Sequence, residues 1–275
     1  LGLSVLGLVP RLGGRRPQDG SLDADTLDER SSISEAFRTI RTSLAFSGRG
    51  RELNSMLVTS AAPSEGKSMV AIHLAIAFAR AGRRVLLVDA DMRRPRLHRA
   101  FGAAAGEGLS SVLIGTRTIA ETARSTVVPN LDLLPCGVIP PNPVELLAGA
   151  GMQPAFAAMR EAYDLVVFDT PPVGVVSDAC VVGSLVDQAM FVVRSCRTNR
   201  AHARRAVEQL RTTGTPLGGA IVNNSDVRAS RYVEYAMDYT YTSKRDDERA
   251  ARDDDADDDD GELTAAGSAA GEGRS

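Results

Sequence analysis

Six short apolar runs alternate with stretches of helical periodicity, and this limits the fold more than any other feature of the chain. The runs are Leu53–Ser60, Val85–Asp89, Leu131–Pro135, Leu165–Asp169, Ala189–Arg194 and Gly219–Asn223. Their Val and Leu residues follow one another without polar alternation, the pattern of strands covered on both faces. Helices are expected at Ser34–Phe46, Lys67–Arg80, Pro95–Phe101, Pro143–Met159, Asp178–Leu185 and Asn199–Thr212. In the first of these Ala36, Phe37, Ile40 and Leu44 recur at helical spacing, and Ser34 is placed to cap it. The expected fold is α/β: a doubly wound, mainly parallel sheet with helices on both faces.

A chain of 275 residues, 43% of them hydrophobic, can bury one domain of about 200 residues and leave tails over. The expected boundaries are a linker at 1–30, a folded domain at 31–229 and a tail at 230–275. The linker opens with the apolar segment Leu1–Pro10 and continues through Gly13, Gly14 and Pro17 into polar sequence. That apolar segment is about half the roughly twenty residues a membrane helix needs. The chain starts at Leu1 with no signal pattern, which reads as a fragment or a processed chain. The tail holds Tyr232, Tyr235, Tyr239 and Tyr241, then an aspartate run over 253–260, and is expected to be disordered from Arg245 onward.

Charge follows the same division. The chain is −3 overall, but residues 245–275 carry −8, which leaves +5 on residues 1–244. The +5 body lacks a dense basic run interleaved with aromatics, so nucleic acid is not an expected partner. Cys136, Cys180 and Cys196 form no CxxC, and His73, His98 and His202 are far apart, so neither a disulfide framework nor a zinc site is expected. Among 30 arginines there are only two lysines, Lys67 and Lys244. Lys67 is therefore the one compact ammonium in the expected domain, at a place where a planar guanidinium is no substitute.

Lys67 sits in Ser60-Ala61-Ala62-Pro63-Ser64-Glu65-Gly66-Lys67-Ser68, between a strand and a helix, the setting of a phosphate-binding P-loop. Backbone N–H groups of Ser64, Glu65, Gly66, Lys67, Ser68 and Met69, at a helix N-terminus, suit phosphate oxygens. Lys67 would reach between the phosphates, and Ser68 would ligate Mg2+. Ala61 replaces the usual first glycine of the loop. Asp89 and Asp91 lie just past the strand Val85–Asp89, and Asp169 ends a strand in the same way before Thr170-Pro171-Pro172. Three acids at the carboxyl edge of a parallel sheet repel one another unless a cation joins them, and Mg2+ prefers such oxygen ligands. Capping of the following helices is the alternative role for Asp89 and Asp169.

Together these motifs make the chain similar to the bacterial tyrosine kinases of capsule and exopolysaccharide synthesis, the BY-kinases, over about residues 31–242. The resemblance rests on the P-loop, on Asp89-Ala90-Asp91 with Arg93, on Asp169, on Asn142-Pro143-Val144-Glu145-Leu146-Leu147 and on the tyrosine cluster. It implies an ATP- and Mg2+-dependent protein-tyrosine kinase, with Lys67, Asp89, Asp91 and Asp169 catalytic and Ser68, Asp91 and Asp169 around the metal. Asp89 is expected as base. Arg93 and Asn223 are expected at the nucleotide, Asn223 near the adenine edge. Glu35, Arg38 and Arg41 resemble the ExxRxxR motif through which the family forms rings, each subunit offering its tail tyrosines to a neighbour. Leu1–Pro10 resembles the segment after the second transmembrane helix in members fused to their membrane activator. This implies a place on the cytoplasmic side of the bacterial inner membrane, with the activator and protein tyrosines as partners. Two alternatives remain. One is the partitioning and cell-division ATPases, whose loop carries a further lysine where this chain has Ala62. The other is a nucleotide-dependent scaffold with little turnover.

Overall fold

Strands and helices alternate much as the periodicity predicts in the computed structural model, which describes residues 1–11, 22, 27–47 and 52–226. The first half runs β1 (Val5–Pro10), α1 (Ser32–Ser47), β2 (Ser55–Ser60), α2 (Lys67–Arg80), β3 (Val85–Asp89), α3 (Leu97–Ala100), α4 (Leu109–Ile114), α5 (Ile119–Thr122), β4 (Arg124–Ser125) and β5 (Leu131–Leu134). The second half runs α6 (Pro143–Ala148), α7 (Met152–Ala162), β6 (Leu165–Asp169), α8 (Asp178–Gly183), β7 (Gln188–Arg194), α9 (Arg200–Thr212) and β8 (Leu217–Ser225). These belong to one compact unit, Leu1–Ser225. The expected tail and its four tyrosines lie outside the described residues.

The sheet order is β1-β8-β7-β2-β6-β3-β5-β4, parallel throughout except for the two-residue β4 against β5. From β2 the chain first builds outward on one side through β3 and β5. It then inserts β6 beside β2 and builds outward on the other side through β7 and β8. The carboxyl ends of β2, β6 and β3 therefore meet where the winding direction changes, which is where open α/β sheets bind ligands.

Period-2 geometry divides each central strand between two cores. Met56, Val58, Val85, Leu87, Leu165 and Val167 face α1 and α2, while Leu57, Leu86, Val88, Val166 and Phe168 face α4 to α7. Every residue of β2, β3 and β6 is buried. At about 1.5–3 kcal/mol per large side chain, this double burial holds the strand ends in place. Helix α2 is buried from Val70 to Ala79, with the sheet on one side and α1 on another. The ring of Phe37 stacks on that of His73 at 4.9 Å, tying α1 to α2.

Three expectations need correction. Residues 5–10 are not linker: β1 pairs in parallel with β8 and forms one edge of the sheet. The single helix expected over Pro143–Met159 is two, broken between Ala148 and Met152 at Gly149-Ala150-Gly151. Helix α1 begins at Ser32, and the Ser31 hydroxyl, not that of Ser34, accepts the N–H of Ser34 as cap.

Candidate functional site

The P-loop leaves β2 at Ser60 and turns into α2 at Lys67. Two residues take left-handed backbone there, Ser64 at φ 64° and Gly66 at φ 97°. Gly66 is required twice over, because a Cβ at that position would also overlap the side-chain amide of Asn223. The carbonyl of Ala61, the residue in place of the usual glycine, packs so closely on Gly174 that a Cβ there would overlap it.

Polar contacts prop the loop from β7 and β8. Asn223 Nδ2 donates to the Glu65 carbonyl at 2.8 Å, and its Oδ1 accepts the N–H of Asn224 at 2.8 Å. Arg194 donates to the Ser64 carbonyl at 2.9 Å. The buried Glu65 carboxylate accepts from the Ala62 N–H at 2.9 Å and from the Thr198 hydroxyl. Asn223, expected near the adenine edge, is thus engaged beneath the loop at both ends of its amide. Ser68 and Met69 open α2 half-buried, with the Ser68 hydroxyl 3.4 Å from Lys67 Nζ.

The three acids meet at the same edge. Lys67 Nζ donates to Asp91 Oδ2 at 2.8 Å and lies 3.8 Å from Asp169 Oδ1. Asp89 Oδ2 accepts the N–H groups of Arg96 and Leu97, each at 3.0 Å, and so caps α3. The capping alternative therefore holds for one oxygen of Asp89 only. Its Oδ1 is buried without a hydrogen-bond partner, and so are both oxygens of Asp169. Burial pushes the Asp89 carboxyl up to about 7, and the Asp169 charge adds to this while the Leu97 and Arg96 N–H groups oppose it. Burial likewise raises Asp169 to about 6, against the pull of Lys67. For Lys67 burial favours loss of the proton, but Asp169 and Asp91 outweigh it and hold the ammonium above its ordinary range.

A cluster with three unbonded carboxylate oxygens and one ammonium has room in its charge balance for another cation. Among the described residues no three His, Cys, Asp or Glu side chains form a metal cage. Mg2+ in a nucleotide site needs none, since one or two carboxylates, a hydroxyl, phosphate oxygens and water complete its shell. Ser68, Asp91 and Asp169 fit that requirement. The N–H groups from Ser64 to Met69, with the α2 N-terminus, fit the phosphates of ATP.

Arg93, expected at the nucleotide, is held by a buried acid. Its Nε and Nη2 fork onto Asp178 at 2.9 and 3.0 Å, and Asp178 is fully buried at the start of α8. The fork clamps the loop after β3 to the segment after β6 and so positions Asp91 beside Asp169. Neither Asp178 nor Thr198 was singled out from the sequence. They stand 85 and 133 residues from their partners, and no local pattern marks such pairs. In α1, Glu35 and Arg38 pair with each other and stay half exposed, while Arg41 reaches inward to the Ala77 carbonyl at 2.8 Å.

With this geometry in hand, comparison with known proteins is specific. The AAA domain family matches residues 64–184. The tyrosine-protein kinase YwqD of Bacillus subtilis is 40% identical over 208 residues, 76% of this chain and 87% of that protein. The tyrosine-protein kinase wzc of Salmonella typhimurium is 36% identical over 76% of this chain, which spans only 29% of that longer protein. The kinase domain of the Escherichia coli tyrosine kinase ETK superposes with a TM-score of 0.75 at 33% identity, over 83% of this chain and 93% of that domain. A parallel sheet with a P-loop and three acids at its switch point, together with relatives of this identity and coverage, gives the assignment: the chain belongs to the bacterial tyrosine-protein kinase family.

Proposed function

We propose that this chain transfers the γ-phosphoryl group of ATP to protein tyrosines, and that Tyr232, Tyr235, Tyr239 and Tyr241 of a neighbouring copy are among its acceptors. The observation that carries the reading is the set of buried, unbonded carboxylate oxygens of Asp89 and Asp169 beside Lys67 at the mouth of a phosphate-binding loop.

Phosphoryl transfer asks a protein for positioning and charge neutralisation more than for covalent chemistry. The N–H groups of residues 64–69 hold the phosphates. Lys67 stays protonated and exchanges its contact with Asp91 for phosphate oxygens. Ser68, Asp91 and Asp169 would hold Mg2+, which would supply charge neutralisation to the phosphates. A tyrosine hydroxyl with an ordinary pKa near 10 must lose its proton as it attacks. Asp89 is suited to accept it at Oδ1: it is raised to about 7, close to neutral pH, and its other oxygen is fixed by two backbone N–H groups. The tyrosine oxygen bonds to the γ-phosphorus, the bond to the bridging oxygen breaks and ADP leaves.

The half-exposed Glu35 and Arg38 support a ring-like homo-oligomer that brings one copy's tail to the next copy's site. No described helix is long and apolar enough to cross a membrane. The family resemblance supports work beside a transmembrane activator on the cytoplasmic side of the inner membrane, in control of capsular or exopolysaccharide synthesis and export. Incubation with ATP and Mg2+ followed by mass mapping is expected to find phosphate on the four tyrosines, absent in Lys67→Met. ADP release without phosphotyrosine would instead favour a partitioning-type ATPase, and neither product would favour the scaffold.

A further inference from the structure

Three loops follow one another along the carboxyl edge of the sheet, after β6, β3 and β5 in spatial order. The middle one carries Arg94 and Arg96, both exposed. Their backbone N–H groups bond Asp91 Oδ1 and Asp89 Oδ2, so both residues belong to the rim of the acid cluster. Neither guanidinium is in ion-pair contact among the described residues, unlike Arg93 beside them, and the Arg96 charge acts on Asp169 at the rim. The loop after β5 carries two of the most exposed aliphatic side chains of the domain, Val138 at 71% and Ile139 at 56%. This rim is arginine next to aliphatic, at the mouth of a site that takes a tyrosine.

The tyrosine cluster repeats a complementary pattern. Val233-Glu234-Tyr235 and Met237-Asp238-Tyr239 each read aliphatic, acid, tyrosine, four residues apart. Tyr232 follows Ser230-Arg231 instead, and Tyr241 follows Tyr239-Thr240. With a tyrosine hydroxyl at Asp89, the residues just before it, at about 3.3 Å each in an extended peptide, lie within reach of the adjoining β3 and β5 loops.

We propose that Arg94 and Arg96, with Val138 and Ile139, select tyrosines preceded by a carboxylate and, one position earlier, an aliphatic side chain. The preferred acceptors of this chain are then Tyr235 and Tyr239 of a second copy, ahead of Tyr232 and Tyr241. The inference rests on the tyrosine-kinase reading above. An arginine facing Tyr232 would meet the like charge of Arg231, so the rim also discriminates by repulsion.

The test uses the full chain as kinase and the full Lys67→Met chain as acceptor, with initial phosphorylation rates resolved at each tyrosine. Tyr235 and Tyr239 are expected to react about three- to fivefold faster than Tyr232 and Tyr241, the size of one ion pair at an exposed site. Glu234→Gln and Asp238→Asn in the acceptor should each slow the following tyrosine by a similar factor. Arg94→Gln with Arg96→Gln in the kinase should level the four sites while the Kd for ATP stays unchanged. An acceptor carrying Glu234→Lys should regain rate at Tyr235 with an Arg96→Glu kinase. Equal rates at all four tyrosines with the unaltered kinase would overturn the selection while leaving the kinase reading intact. A weakened ATP Kd in the arginine variants would assign the pair to the nucleotide and overturn it too. Absence of phosphate from every tyrosine would remove the kinase reading and this inference together.

Discussion

At the amino end of β2, Asp187 Oδ2 accepts from the N–H groups of Asn54 and Ser55 at 3.0 and 2.8 Å and from the Ser55 hydroxyl at 2.9 Å. At the carboxyl end of the adjacent β6, Asp169 is buried with neither oxygen in a hydrogen bond and with the Lys67 ammonium, at 3.8 Å, in ion-pair contact. The two aspartates flank the same pair of strands at opposite ends of the sheet, one fully used by the fold and the other left with capacity to spare. Buried polar groups in folded proteins almost always have partners, so an exception of this kind marks a place where a ligand completes the structure. Along the length of β2 the acid at one end is consumed by the fold, while acids at the other end keep unbonded oxygens.

Substitution at the two ends is expected to have opposite effects. The largest is Asp169→Asn, which removes a carboxylate from the phosphate and metal site and is expected to lower tyrosine phosphorylation about 10³-fold, or about 4 kcal/mol of barrier. The same change relieves a buried charge, so the melting temperature of the unliganded protein should rise. A fall in both would mean that Asp169 is structural and would erase the contrast. Next is Asp187→Ala, which strands two backbone donors and a hydroxyl and is expected to cost about 3 kcal/mol in chemical unfolding. Its kcat/KM for acceptor tyrosine, normalised to folded protein, should be unchanged; a drop as large as that of Asp169→Asn would show that the two ends are coupled.

This contrast also accounts for how much of the molecule is legible in its sequence. The strands from β2 to β8 that carry continuous Val and Leu are visible because burial on both faces writes itself into every position, and helix Lys67–Arg80 has its expected limits. Strand β1 is hidden because its partner β8 lies 214 to 215 residues away, as in Leu8 with Val222 and Val5 with Ala220, and its own run contains Gly7 and closes on Pro10, residues that signal a loop when met alone. The break between α6 and α7 needs tertiary context: both segments are helical by composition, and Gly151 is held against the Leu113 carbonyl. At the site, the three acids are legible because each stands at or just past the end of a strand, and Lys67 because it stands where the loop after β2 turns into α2. The contacts of Arg93 and Asn223 are not legible, because their partners, Asp178 and the Glu65 carbonyl, are brought in by the fold from distant positions.

A smaller effect is expected where the loop is propped rather than charged. Asn223→Ala removes a donor to the Glu65 carbonyl and an acceptor for the Asn224 N–H, two bonds at about 1 kcal/mol each. Unfolding free energy should fall by about 2 kcal/mol, and ATP should bind about tenfold more weakly as the Gly66 backbone loses its support, read by calorimetry. Unchanged ATP affinity with lowered stability would confine Asn223 to the structural side of the comparison.

The smallest and sharpest effect is in the pH dependence of stability without nucleotide or Mg2+. The Asp89 carboxyl is near 3.8 when unfolded and about 7 when folded, so between those values the native state holds a proton that the unfolded chain has lost. Protonation therefore favours the native state. That stabilisation is present in full below the unfolded value and is lost as pH rises through about 7. Between pH 8 and pH 6 the unfolded group stays ionised while the native one takes up its proton, about one unit's worth of binding, so stability should rise by about 1.4 kcal/mol on acidification. Asp169, at about 6, extends the trend toward lower pH with the same sign. Asp89→Asn should lose the Asp89 part, and histidine titrations common to both proteins cancel in the difference between their curves. Denaturation midpoints at pH 8, 7 and 6 would show the two curves converging as pH falls. Parallel curves would mean that Asp89 keeps its charge in the fold, and the carboxyl edge would then be as settled electrostatically as the end held by Asp187.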